Sequence, residues 1–452
     1  MQKLEEHLAE YAHTLDIGAI DAKVVHQAKR RMLDTIGCAL AAFTAPPSRI
    51  ARRWALPVAG PEGARVWGSL VRTSPDMAAF ANGTMLRYLD TNDTHRTLDG
   101  SHPSDNLGGL VAIAEMLGRS GSDLLEAMII SYEVQCRFVD SVPFNDKGWD
   151  QPVPGAIACA LGAGRLLGLD REALKEAVAL AVIPNLCTYQ TRVGELSMWK
   201  GSAAANGARQ GVFAALLASD GMTGPSEPFD GVFGVWNQTV GKPYELKPLA
   251  KPGMTYAVQQ TNIKKYVVRD SCQLPVDTAK LLRAKIQSGD VAELRIETYR
   301  SAYKGAVEDP ELWAPRTRET ADHSMLVAIC ATLVDGSITP ETFNAERFKA
   351  PEVLDLIKRT KVDVTDEFTK AVPGVRNCRI TATSKSGASH SVHLFWTTAD
   401  IERGLTDAEI ETKFESLNRD MMPAAARRRL MDALWDLDKQ PSVAAVVELT
   451  RL

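Results

Sequence analysis

No two of the seven cysteines stand in CxxC spacing. Cys38, Cys136, Cys159, Cys187, Cys272, Cys330 and Cys378 are scattered, several inside apolar runs such as "TIGCALAAF" and "GAIACALGAG". This usage argues against a structural zinc or an iron–sulfur cluster and for buried free thiols in a reducing compartment, a pocket role being the weaker reading for Cys272. The usual cofactor signatures are missing too. No GxGxxG follows a strand pattern, and GxxxxGK[ST], GxSxG and HExxH do not occur. Those absences argue against a dinucleotide fold, a phosphate loop, a serine-hydrolase elbow and a zincin site. Charge of one sign is also lacking: 52 basic residues face 56 acidic ones, a net charge of -4. Nothing there favours a nucleic-acid partner, and any anion site must be a local arrangement. Apolar stretches such as "LKEAVALAVIP" are too short or too interrupted to cross a membrane. The opening "MQKLEEHLAEYAHTLDIG" has no apolar core and is too acidic for a mitochondrial presequence. The expectation is a cytoplasmic protein with no membrane partner, no organic cofactor and no metal.

What is present is mostly helix, then a change of texture. The chain of 452 residues suffices for two or three domains. Its first half carries helical patterns: "VVHQAKRRMLDTIGCALAAF", "SPDMAAFANGTMLRYLD" with Ser74 and Pro75 at a helix start, and "LDREALKEAVALAV" behind an Asp170 cap. Few runs there alternate with period two, so a doubly wound sheet is not expected. After about Gln260, "VAELRIETYR", "NCRITATS" and "SVHLFWTT" alternate as strands, with helical runs between them. Helix returns at "TDAEIETKFESL", where Thr406 and Glu409 form a capping box. The fold class is therefore mainly α with a smaller α+β domain, the tail rejoining the helical part.

Chemistry-bearing residues concentrate in "RYLDTNDTHRTLDGSHPSDN", Arg87 to Asn106, which holds Asp90, Asp93, Asp99, Asp105, His95 and His102. Pro103 suits the first turn of a helix, which places His102 at its amino end, where exposed amides depress an imidazole's pKa and attract carboxylates. If the preceding helix persisted, Asp90 and Thr94 would share one face. Carboxylates also suit a divalent metal, but the spacing matches no standard ligand set. Lys200 opens the small-residue helix "KGSAAANGARQG", against the helix dipole, which is sensible where an anion sits. Lys264, Lys265 and Arg269 form a basic cluster, for which a solvated face is the ordinary reading. Asp322 and His323 open an apolar helix, with Arg316, Arg318 and Glu319 upstream, and Lys385 lies in a turn between two strands.

In order, "QAKRRMLDTIGCALAA", "YLDTNDTH", "HPSDN", "GWDQ", "RLLGLD" and "TRETADHS…LVDG" resemble the MmgE/PrpD family over nearly the whole chain. The resemblance implies a large helical domain at 1–258, an α+β lid at 259–394, and C-terminal helices at 395–452 that rejoin the first. It implies a homodimer without metal. The family's named activities include 2-methylcitrate dehydratase, cis-aconitate decarboxylase and iminodisuccinate epimerase. Its motif residues fall on Asp90, Thr94, His102 and Lys200, and on Lys264 with Lys265 as the rival. Three departures stand out. Gln151 occupies a position where relatives often have histidine; Leu326 and Val327 replace a Pro-Tyr pair; and the turn "KSGASHS" lacks a proline.

The resemblance thus implies a lyase of propionate metabolism: a hydro-lyase acting on 2-methylcitrate or a related hydroxy tricarboxylate. His102, Asp90 and Lys200 would carry the chemistry. Thr94, Gln151, Lys264, Lys265, His323 and Lys385 would contact substrate. Which group is acid and which is base stays open, as do an epimerase, a decarboxylase and a non-catalytic polycarboxylate-binding relative.

Overall fold

The computed structural model describes residues 2–58, 63–69 and 71–452. Long helices build the first half. Ala22–Ala41, Pro75–Tyr88, Gly121–Ser141, Pro152–Leu167 and Trp199–Ser219 pack around one apolar core that includes Leu33, Met85, Leu110, Met128, Ile157 and Val212. Their starts follow local chemistry. Asp170 accepts from the Ala173 N–H at 2.9 Å, and Ser120 and Asp123 form a reciprocal capping box. The small residues of Trp199–Ser219 serve close packing. A Cβ on Gly83 of Pro75–Tyr88 would lie 2.7 Å from the Ala205 Cβ, so glycine is what lets these two helices meet.

The second core is built on a four-stranded sheet in the order Thr360–Val364, Val291–Thr298, Val375–Ser384, Ser389–Thr397. The first pair is parallel and the others antiparallel. Leu294 pairs with Ala382, and Ile296 with Ile380, so the period-two apolar positions form one buried face. Gln273–Arg283 and Met325–Asp335 contribute their apolar residues to the same core. The strand Ser389–Thr397 runs past residue 394, because its pairing with Val375–Ser384 continues to Val375↔Thr397.

The C-terminal helices Asp407–Asn418 and Ala424–Trp435 pack on Ala22–Ala41 and place Ile410, Phe414, Leu430 and Leu434 in the first core. No helix among the described residues is long and apolar enough to cross a membrane.

A small sheet lies within the helical part. Asp93–Arg96 pairs on one side with Gly100–Ser101 and on the other with Asn262–Ile263. Residues 259–263 therefore belong to the helical side, and the second core takes up the chain from Tyr266, with Ala42, Ala45 and Leu89 joining it from the first half. This sheet also corrects a local expectation. The helix stops at Tyr88, and Thr94 lies in a strand, so Asp90 and Thr94 do not share a helical face. Asp90 itself takes φ 51°, a region a side chain other than glycine seldom occupies, and this reverses the chain between helix and strand.

Candidate active site

That reversal aims Asp90 into the seam between the two cores. Its side chain is buried, and three cations reach it. Lys264 Nζ lies 2.7 Å from Oδ1 and donates to the Asp90 carbonyl at 2.6 Å. Lys200 Nζ lies 3.3 Å from Oδ2, and Arg87 Nη1 donates to Oδ1. Bonds to both the carbonyl and the carboxylate hold the unusual backbone of Asp90 in place. The α+β domain supplies a second carboxylate, Asp322, with Lys200 Nζ at 3.0 and 3.2 Å and Arg318 Nη1 at 3.1 Å. Lys200 thus bridges the domains. With Asp105 Oδ1 3.6 Å from Arg87 Nε, four cations meet three carboxylates, a local surplus of positive charge suited to an anionic ligand.

Burial alone would raise the Asp90 pKa, but Arg87, Lys200 and Lys264 hold it well below the ordinary carboxylate range. Asp322 is likewise lowered, burial being outweighed by Lys200, His323 and Arg318. The lysines move the other way. Burial lowers Lys200 despite Asp322 and Asp90, and lowers Lys264 to about 8 despite Asp90.

His102 follows Gly100–Ser101 and caps a 3₁₀ turn, Pro103–Asn106, that precedes the α-helix Leu107–Met116. Its Nδ1–H donates to the Asp93 carbonyl at 2.6 Å, and a carbonyl can only accept. The neutral ring therefore carries its proton on Nδ1 and leaves Nε2 with a free lone pair. Burial, with the charges of Arg87 and Lys264, keeps this imidazole's pKa well below its ordinary value. His323 is arranged in the same way. Its Nδ1–H donates to Asp322 Oδ1 at 2.6 Å, it lies 3.8 Å from Asp90 Oδ2, and burial with the Lys200 charge lowers it to about 3.

Gln151 is fully engaged by protein. Its Oε1 accepts the His102 backbone N–H at 2.7 Å, and its Nε2 donates to Asp105 Oδ2 at 3.3 Å. Asp105 also accepts from Asn92 at 3.2 Å, and burial, opposed by Arg87, pushes it up to about 7. The amide thus holds the His102 segment against Asp105. Gln151→Ala is expected to lower kcat about tenfold with a smaller change in KM, since loosening the His102 segment disturbs positioning more than ground-state binding. Steady-state kinetics alongside direct binding checks this; a KM increase at unchanged kcat would support the substrate-contact role.

Thr94 is buried beside this turn, its hydroxyl 3.4 Å from the Ser101 carbonyl. Two other expected contacts are not brought here. Neighbours on an extended segment point to opposite sides: Lys264 enters the seam, while exposed Lys265 reaches Asp277 at 3.2 Å. Lys385 is exposed on the hairpin turn after Val375–Ser384, its backbone N–H bonded to the Asp290 carbonyl at 2.8 Å. Cys272 is buried, and its thiol is pushed up to about 12 by that burial.

Sequence reasoning missed Arg87, which stands three residues before Asp90, and Lys413. From the C-terminal helix, Lys413 Nζ donates to the carbonyls of Thr91 at 2.5 Å and Lys264 at 2.7 Å, and sits 2.6 Å from Asp34 Oδ1. It pins the backbone beside both Asp90 and Lys264. Asp90, Asp322 and His323 place one potential metal-ligand atom each within 4.8 Å of one another. The fit is poor. Both carboxylates are already occupied by ammonium and guanidinium groups, whose charge repels a divalent ion.

Residues 6–247 match the MmgE/PrpD N-terminal domain, and residues 268–437 match the MmgE/PrpD C-terminal domain. The chain is 26% identical to human cis-aconitate decarboxylase over 92% of its own length and 88% of that protein's. It is 29% identical to 2-methylcitrate dehydratase of Escherichia coli strain K12, over 71% of this chain and 69% of the relative. A probable 2-methylcitrate dehydratase of Saccharomyces cerevisiae is 28% identical over 78% and 72%.

Proposed function

The chain belongs to the MmgE/PrpD family, and on that premise we propose that it is a hydro-lyase dehydrating a hydroxy tricarboxylate, 2-methylcitrate or a close relative. The observation that carries this reading is the neutral His102 imidazole, its Nδ1–H fixed and its Nε2 free, beside a cluster with more cations than carboxylates. His102 Nε2 takes the proton from carbon. The C–H electron pair forms the double bond as the C–O bond breaks, and the departing hydroxide takes a proton to leave as water. Lys264 is the donor we assign, since an ammonium with a pKa near 8 is protonated at neutral pH and gives up a proton readily. Lys200, Arg87 and Lys264 offset the charge that builds next to the substrate carboxylate. Asp90 holds the two lysines, and Thr94 offers its hydroxyl to the substrate.

The similarity to a decarboxylase over most of the chain favours one second reading. There a C–C bond to a carboxylate would break, carbon dioxide would leave, and His102 would manage the proton on carbon. A turnover panel separates the two. Thoroughly chelated protein is expected to form an unsaturated tricarboxylate from 2-methylcitrate and to release no carbon dioxide from cis-aconitate. Activity that appears only after a divalent ion is restored would overturn the acid/base reading.

Lys264 also sets a pH dependence. kcat/KM is expected to fall as pH rises through about 8, because the free protein then loses both its proton donor and a cation. Stability has the opposite sign. The folded-state pKa lies below the ordinary 10.5, so between about 8 and 10.5 the unfolded chain holds more protons and this group's contribution to stability rises with pH. A kcat/KM profile flat to pH 10 would remove Lys264 from the proton-donor role.

A further inference from the structure

A second cationic group lies along the same seam and is not used by the proton transfers above. Arg96 is two residues beyond Thr94 on the strand Asp93–Arg96. Residues i and i+2 of a strand share a face, so Arg96 continues the Thr94 face about 7 Å further on. From the lid, Arg376 Nη1 lies 2.9 Å from Asp270 Oδ2, and Arg96 Nε lies 3.5 Å from the same oxygen. Arg269 is adjacent in sequence. Its backbone N–H bonds the Asp322 carbonyl at 3.0 Å, which ties it to the His323 segment. Its guanidinium donates to the Gly305 carbonyl and, among the described residues, makes no carboxylate ion pair and keeps a buried Nε without a partner. A Cβ on Gly305 would come within 2.8 Å of that guanidinium, and one on Gly100 within 3.1 Å of the Arg96 guanidinium. Two guanidinium groups, one from each domain, thus meet at one carboxylate, Asp270, and the charge of a third, the sequence neighbour Arg269, also lowers that carboxyl; Arg96 and Arg269 are seated over glycines.

We infer that Arg96, Arg269 and Arg376 form a carboxylate subsite that takes the distal carboxylate of a tricarboxylate whose reacting end lies at Thr94, His102 and Lys264. Planar guanidinium forks suit bidentate carboxylate binding. The charge ratio leaves room for one more anion, and occupancy draws lid and helical domain together, because Arg96 comes from one and the other two from the other. The inference rests on the polycarboxylate reading and adds a selectivity for three carboxylates over two.

Calorimetric binding of citrate and of citramalate, a hydroxy dicarboxylate, tests it on wild type, Arg96→Gln and Arg376→Gln. Arg96 is exposed, so its replacement leaves the fold intact, which a thermal melt verifies. Each variant is expected to lose about tenfold or more in citrate affinity, the worth of a charge-assisted contact, while citramalate changes less than about twofold. Equal losses for both ligands would mean that these arginines only anchor the lid, and would overturn the subsite, as would unchanged citrate binding or no citrate binding by wild type. Turnover of 2-methylcitrate is measured separately. Selective citrate binding without elimination supports the subsite and defeats the dehydratase reading, whereas elimination with unaltered selectivity in Arg96→Gln does the reverse.

Discussion

Asp90→Asn is expected to give a protein that melts at lower temperature and has lost at least about a hundredfold in turnover. The substitution keeps size and shape but removes the charge that Lys264, Lys200 and Arg87 share in a buried site. Removing one partner of a buried pair strands the others and costs about 3–5 kcal/mol. Asn would also hold the left-handed backbone of position 90 at little cost, so the loss reports the charge. Adding Lys264→Met to Asp90→Asn takes away part of the stranded charge. The double variant should regain stability relative to Asp90→Asn and gain no activity. Chemical denaturation of the four proteins of this cycle measures the coupling. Equal stability of wild type and Asp90→Asn would show that the buried cluster is not held by that carboxylate.

His102→Asn is expected to do the opposite: a fold and a substrate affinity close to wild type, with kcat lowered by about 10²–10⁴. An asparagine amide can still donate to the Asp93 carbonyl, so the local turn survives, but it offers no base in place of Nε2. Lys200→Ala should differ in kind, weakening binding as well as rate, because its ammonium meets anionic charge in both the ground and transition states. Near wild-type turnover by His102→Asn would remove it from the proton-transfer role.

Much of this arrangement was legible, for identifiable reasons. The strands Val291–Thr298 and Val375–Ser384 each bury one face and Ser389–Thr397 half-buries one, so their alternation shows in the residues. The Asp170 cap and the Thr406–Glu409 capping box are written in adjacent residues and form as expected. The Asp90 turn was not legible. A run of short polar residues marks a break, but the reversal into a strand is held by distant groups, among them Lys264, 174 positions away, and Lys413. Lys264 and Lys265 look alike in sequence, and the pairing of Asn262 and Ile263 with Thr94 and Asp93 sends the first inward. Gln151 stood as a ligand contact because its partners, the His102 N–H and Asp105, are 49 and 46 residues away. Lys413 had no local signal, since a lysine on an amphipathic helix ordinarily faces solvent.

The most direct measurement follows 2-methylcitrate and, in a separate sample, cis-aconitate by NMR in deuterated water, with wild type and His102→Asn in parallel. The expected result is an unsaturated tricarboxylate formed by wild type, no carbon dioxide, and the same product formed at least about a hundredfold more slowly by His102→Asn. Deuterium entering carbon with inversion and no elimination, or carbon dioxide released from an unsaturated acid while 2-methylcitrate stays untouched, would contradict the dehydratase and assign the pocket to an epimerase or a decarboxylase.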